Sequence, residues 1–138
     1  MRRQTRSKAT TLLFLGLAAV SGCMPNDSSS RGVAEVFVDK HYVQIDPAGA
    51  EPFCFGLALA KVKEVRKLTA GVVIDEMTKK PTVRYKIVEA KEEADHGTYV
   101  FDGTIYVEGD DALSRRWIVS TRKDGEKWKV SNFTEEYD

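Results

Sequence analysis

The stretch Tyr99-Val100-Phe101-Asp102-Gly103-Thr104-Ile105-Tyr106-Val107-Glu108 decides the fold. Tyr99, Phe101, Gly103, Ile105 and Val107 fall at every second position, with Asp102, Thr104 and Glu108 between them. Side chains two residues apart share one face of a strand, so this period marks a face for a core and a face for the outside. The same period recurs on both sides. After Pro81, Val83, Tyr85 and Ile87 alternate with Arg84 and Lys86. Downstream, Trp117, Val119 and Thr121 alternate with Ile118, Ser120 and Arg122, and Trp128 and Val130 with Lys129 and Ser131. The joints Asp95-His96-Gly97, Gly109-Asp110-Asp111 and Asp124-Gly125 are rich in turn formers, and Asp-Gly between alternating runs is a strong hairpin signal. About four antiparallel strands in a meander are therefore expected. Gly103 in mid-strand predicts a bend or bulge of the kind a curved sheet needs.

Upstream the period changes to that of a helix. Ala34, Phe37, Val38, His41, Tyr42 and Ile45 recur at steps of three and four, one apolar stripe starting from Val33. Asp46-Pro47 predicts an N-cap followed by Pro at the first helical position, a short turn through Ala50, and a break at Pro52. A longer helix is predicted over Phe55–Thr69, with Leu57, Ala58, Val62, Val65 and Leu68 inward, Lys61, Lys63, Glu64 and Lys67 in solvent, and Gly71 as its stop. Val72-Val73-Ile74 reads as a short strand or a buried connection. Helices first and strands afterwards make an α+β domain, with N-terminal helices packed on a curved antiparallel sheet.

The 138 residues carry 21 Lys+Arg against 21 Asp+Glu, but the balance is uneven along the chain. Arg2, Arg3, Arg6 and Lys8 crowd the first 22 residues, which hold no acid, and the remainder carries 17 basic against 21 acidic groups, net −4. A body without a basic stripe argues against a nucleic-acid partner. The basic start leads into Leu12–Val20 (LLFLGLAAV), an apolar run well short of the roughly 20 residues a spanning helix needs. It fits the apolar core of a signal peptide. Val20-Ser21-Gly22-Cys23 closes the run and resembles the bacterial lipobox. That resemblance implies that Val20, Ser21 and Gly22 are read by the signal peptidase and that Cys23 becomes the acylated N-terminus. It further implies that Met24, in place of Asp, directs the protein to the outer membrane, facing the periplasm, where the host has two membranes. The expected organisation is a lipoprotein signal peptide at 1–22, a lipidated N-terminus and flexible tether at 23–32, and a single domain at 33–138. Cys54 sits in Phe53-Cys54-Phe55 and reads as a small buried hydrophobe. The alternative is a Cys23–Cys54 disulfide in a soluble secreted protein. No His/Cys spacing suggests a metal site, and no cofactor is implied.

The helices, the long meander and the last hairpin, Asp124-Gly125-Glu126-Lys127-Trp128-Lys129-Val130-Ser131-Asn132-Phe133, together resemble the nuclear-transport-factor-2-like, or cystatin-like, cone fold over about residues 33–137. The chain is also similar to small bacterial lipoproteins of that fold. The superfamily contains isomerases, hydrolases, cyclases, transport adaptors and non-enzymatic envelope domains, so the fold alone settles no function. In such a cone the concave sheet face and the helices enclose a pocket. Alternation places Val83, Tyr85, Ile87, Tyr99, Phe101, Ile105, Val107, Trp117, Val119, Trp128 and Val130 on that face, with no carboxylate among them. His41, Tyr42, Tyr85 and Tyr99 are the candidates for contact with a ligand there. The opposite face is expected to carry Val88, Ala90, Val100, Thr104, Tyr106, Ile118 and Phe133 among charged residues. Val100, Tyr106 and Ile118 are its candidate interaction residues, for a homodimer or another envelope protein. The leading expectation is a membrane-anchored, non-catalytic interaction or assembly module. A carrier of a small apolar ligand in the cone and an isomerase- or hydrolase-type enzyme are the alternatives.

Overall fold

The computed structural model describes residues 26–73 and 77–137. The signal segment, Cys23 and its preceding box, and Ile74 lie outside the described residues. Four strands form one antiparallel sheet in the order of the sequence: β1 (Thr82–Glu92), β2 (His96–Tyr106), β3 (Leu113–Asp124) and β4 (Lys127–Tyr137). The last hairpin closes on the two-residue loop Gly125-Glu126, with Gly125 at φ +66°, where the chain turn requires a residue without Cβ. The α+β expectation and the meander both hold.

The helices precede the sheet and lie on one face of it. α1 spans Ser30–Val38, three residues earlier than the apolar stripe implied. Ser29 caps it, its hydroxyl accepting from the amide of Gly32 at 2.9 Å. The helix then widens into a π-helical turn at Asp39–Val43, capped by Gln44, and the next residue, Ile45, has a φ of +54° that places a β-branched residue in the left-handed region. Ile45 thus leaves the stripe and is 41% exposed. Asp46 caps α2 (Pro47–Ala50), accepting from the amide of Gly49, and Pro52 falls in a 3-10 turn at Glu51–Phe53. α3 spans Gly56–Thr69. It buries Ala58 and Val62 fully, but Leu57 and Leu68 stand in solvent, because only a narrow strip of α3 touches β4. Lys61, expected in solvent, instead donates to Asn132 Oδ1 at 2.8 Å and to the Phe133 carbonyl at 2.7 Å, tying α3 to the sheet. Val72 and Val73 are exposed and form no strand.

Two bulges govern which side chains reach the core. In β1 the register slips between Ile87 and Glu89, leaving Val88 as an extra residue, so Ala90 takes the parity of the concave face opposite Tyr99. In β4 the register slips opposite Ser120 and Thr121, leaving Ser131 as the extra residue. An extra residue exchanges the faces of everything beyond it. Phe133 therefore pairs with Val119 on the concave face and is buried at 9% exposure, a correction to the alternation reading. The same slip brings Glu135 opposite Trp117 and Tyr137 opposite Arg115. Gly103 makes no bulge. A Cβ there would overlap the indole of Trp117, which lies flat across the glycine. The core holds Phe37, Val38, Ala58, Val62, Tyr99, Phe101, Trp117, Val119 and Val130. Trp128 is half-buried beyond its edge, at the hairpin end, where Lys123 Nζ lies 5.5 Å from its ring centre.

Candidate functional site at the mouth of the sheet

At the end of the sheet away from the last hairpin, the π-helical turn sets His41 and Tyr42 over the concave face. Tyr42 stacks on Trp117 with ring centres 4.3 Å apart and planes 11° from parallel. His41 stacks on Phe37 at 5.1 Å and meets Phe133 at 5.0 Å. Phe37 and Phe133 close the cluster at 4.8 Å. These rings pack between the helix and the sheet. Clefts of about 440 and 500 Å³ lie elsewhere, at the last hairpin and beside the start of α3, and none of these rings lines either.

The cluster is apolar in packing but not in chemistry. His41 Nδ1, Tyr42 OH and Trp117 Nε1 are buried and have no hydrogen-bond partner among the described residues. Such groups cost free energy unless a water or ligand meets them. Burial drives the His41 imidazole down to about 4, so it is neutral near pH 7. Burial, and then the nearby Glu135 carboxylate, push the Tyr42 phenol far above its ordinary range. Glu135 itself stands on the concave side and pairs with Arg115 at 3.5 Å. The Arg115 guanidinium also lies 4.7 Å from the ring centre of Tyr137. A carboxylate at the mouth was missed by the sequence reading because the Ser131 bulge reverses the face on which Glu135 stands. Its only sequence signal is the small, polar Ser131-Asn132 pair interrupting the alternation.

Tyr99 and Tyr85 take different places. Tyr99 is fully buried, and its hydroxyl lies 2.8 Å from Glu92 Oε1 and 2.7 Å from Ser30 Oγ, which in turn is 2.7 Å from Thr121 Oγ1. A carboxylate can only accept, so the phenol proton serves Glu92 and the serine proton is left for the phenol oxygen or Thr121. Burial pushes Tyr99 up to about 12, with Glu92 adding to the rise. This network ties the first residue of α1 to β1, β2 and β3, so Tyr99 is a structural group at the opposite end from the mouth. Tyr85 is half-buried and meets Phe101 edge-on at 5.7 Å. Cys54 is buried and unpaired among the described residues, its thiol donating to the Ala50 carbonyl at 3.3 Å. Among the described residues no group of His, Cys, Asp and Glu side chains could hold a metal ion.

On the convex face, Val100 and Ile118 are register neighbours, in a row running Glu89, Val100, Ile118, Thr134. The adjacent row is charged with alternating sign: Lys86, Asp102, Arg116, Glu136, with Arg116 Nε 2.9 Å from Asp102 Oδ1. Tyr106 stands at the strand end, 45% exposed, with the Arg84 guanidinium 5.9 Å from its ring centre.

No protein-family model matches the chain, and no curated protein matches it. Solved structures do. A protein from Thiobacillus denitrificans described as a calcium/calmodulin-dependent protein kinase type II association domain superposes with a TM-score of 0.62 at 12% identity, covering 83% of this chain and 99% of that one. A hypothetical protein from Catenulispora acidiphila with a ketosteroid isomerase-like fold, solved with trimethylamine, superposes with a TM-score of 0.51 at 10% identity, covering 80% and 88%. Both are cones of the nuclear-transport-factor-2-like kind, and that is the fold of this chain. At these identities the likeness extends to the fold alone.

Proposed function

We propose that the protein is a lipid-anchored envelope module that works by binding another protein or a second copy of itself, not by catalysis. The observation that carries this reading is the ring cluster under the helix: Phe37, His41, Tyr42, Trp117 and Phe133 pack on one another with ring centres 4.3 to 5.1 Å apart, over the part of the concave face nearest the helix. The anchor is Cys23, acylated after cleavage of residues 1–22. The working surface is the convex face, where Val100, Ile118 and Tyr106 supply burial and the Lys86–Asp102–Arg116–Glu136 row sets orientation. The association-domain neighbour lends weak support to self-assembly through this fold. The test is crosslinking of the full chain in cells, with the mass of the detergent-solubilised protein measured in parallel. A crosslinked species lost in Ile118→Lys and Tyr106→Lys is expected. A strict monomer with no crosslink in the parent overturns the reading.

A second reading, capture of a small molecule at the mouth, is favoured by one observation, the unpartnered His41 Nδ1, Tyr42 OH and Trp117 Nε1 close to Glu135 and Arg115. It requires the rings to part on binding. Quenching or enhancement of Trp117 emission on titration with small aromatic or amphiphilic compounds would support it.

A further inference from the structure

The start of α1 and the β3–β4 hairpin meet at one end of the sheet. The Asn26 carbonyl lies so close to Gly32 that a Cβ there would overlap it, and the Ser28 amide donates to Asn26 Oδ1 at 3.0 Å. Asp27 and Ser28 share the cleft of about 440 Å³ with Phe53 and Trp128. Residues 26–29 therefore lie on the body of the domain, against the hairpin, where the sequence alone suggested a loose tether running to Gly32. Asn26 follows Cys23 by three residues, and three residues of fully extended chain span at most roughly 11 Å. An acyl chain on Cys23 thus holds the bilayer surface within about that distance of Asn26, at the same end of the domain as the hairpin.

The surface so presented has the composition of a membrane-interface contact. Trp128 is half-buried, with an ammonium group over its ring, and Lys127 and Lys129 flank it. Lys123, Lys127 and Lys129 are matched by Asp27, Asp124 and Glu126, with Lys129 Nζ 3.2 Å from Asp124 Oδ2. Equal numbers of cations and carboxylates suit headgroups that carry both charges. Tryptophan and lysine are the side chains that settle at that depth, the ring among the upper acyl chains and the ammonium reaching back to water.

We propose that the β3–β4 hairpin, led by Trp128, rests on the lipid headgroups of the membrane that holds the anchor, an inference that depends on the lipid-anchor reading above. The docked hairpin fixes the domain's orientation. Strands of this length run roughly 35 Å, so the mouth with Arg115, Glu135 and Tyr42 points away from the bilayer.

The test uses the full chain, purified with its native modification and placed in phosphatidylethanolamine–phosphatidylglycerol vesicles with a nitroxide on a fraction of the headgroups. Intact mass and tryptophan emission are read on the same sample. The expected result is an acylated Cys23 together with loss of part of the emission when labelled lipid is present. In Trp128→Phe the remaining emission, from Trp117 at 1% exposure, should be indifferent to the label. An acylated protein whose emission is the same with and without label overturns the docked hairpin while leaving the anchor intact. An unmodified Cys23 overturns the anchor itself and the docking with it.

Discussion

At the scale of single residues, two buried groups define how the protein responds to change. His41 is held neutral by burial, at about 4 against an ordinary value near 6.5. The unfolded chain therefore takes up a proton first as the solution is acidified. Stability is fully present above about pH 6.5, falls as the pH drops towards 4, and levels off below that. The loss is on the order of 3 kcal/mol. Urea midpoints compared at neutral and mildly acidic pH should show a drop that is clearly smaller in His41→Gln. The groups facing His41 from the packed elements are the rings of Phe37, Tyr42 and Phe133, with no carboxylate bonded to it among the described residues. Tyr42 carries a hydroxyl with no partner, so Tyr42→Phe keeps the stack on Trp117 and removes a buried polar group. A gain of about 1 kcal/mol in a urea melt is expected, because relieving an unsatisfied group returns its desolvation cost. A loss of that size would mean that a water or ligand satisfies the hydroxyl.

At the scale of elements, the sheet is organised around one indole and one slipped register. Trp117 lies across Gly103 of the neighbouring strand, so Gly103→Ala must push the ring off its seat. Overpacking of this kind costs about 1–3 kcal/mol, and near-ultraviolet circular dichroism of the displaced indole should weaken with it. The two tryptophans are not equivalent. Trp117→Ala empties the core and should cost about 3–5 kcal/mol, whereas Trp128→Ala, outside the core, should cost well under half of that. Equal losses in chemical denaturation would place Trp128 in the core beside Val130.

For the whole molecule, the claim that matters is the address. Cys23→Ala should leave the chain unprocessed or soluble, and fractionation of cells should move it out of the membrane pellet. Membrane-bound protein with an unmodified Cys23, or with a Cys23–Cys54 bridge, would contradict the anchor. Cys54 itself is poorly suited to a bridge in this fold: it is 3% exposed, and burial with Glu51 nearby pushes its thiol up to about 12. If the anchor and the docked hairpin hold as proposed, the convex face and the mouth are the surfaces left for a partner. The residues at those two places, Ile118 and Tyr106 on one and Tyr42 and Arg115 on the other, separate the two functional readings by mutation.

Local pattern in the sequence was enough for the class of fold, because alternation in β1 to β3, the Asp46-Pro47 cap and the Asp124-Gly125 hairpin each depend on a few neighbouring residues and agree with one another. His41 and Tyr42 were legible as candidates for the same reason, since both stand on the helical stripe. Tertiary structure alone decided the content of the site. A bulge is one extra residue whose cause lies in pairing with another strand, so the break in alternation at Ser131-Asn132 does not by itself say that Phe133 turns inward and that Glu135 follows it to the mouth. Gly103 likewise reads as a weak point in its own strand until Trp117, fourteen residues on in sequence but adjacent in the sheet, is laid across it. Long-range pairing sets which side chains meet, and a one-residue shift in that pairing exchanges the inside of the cone for the outside.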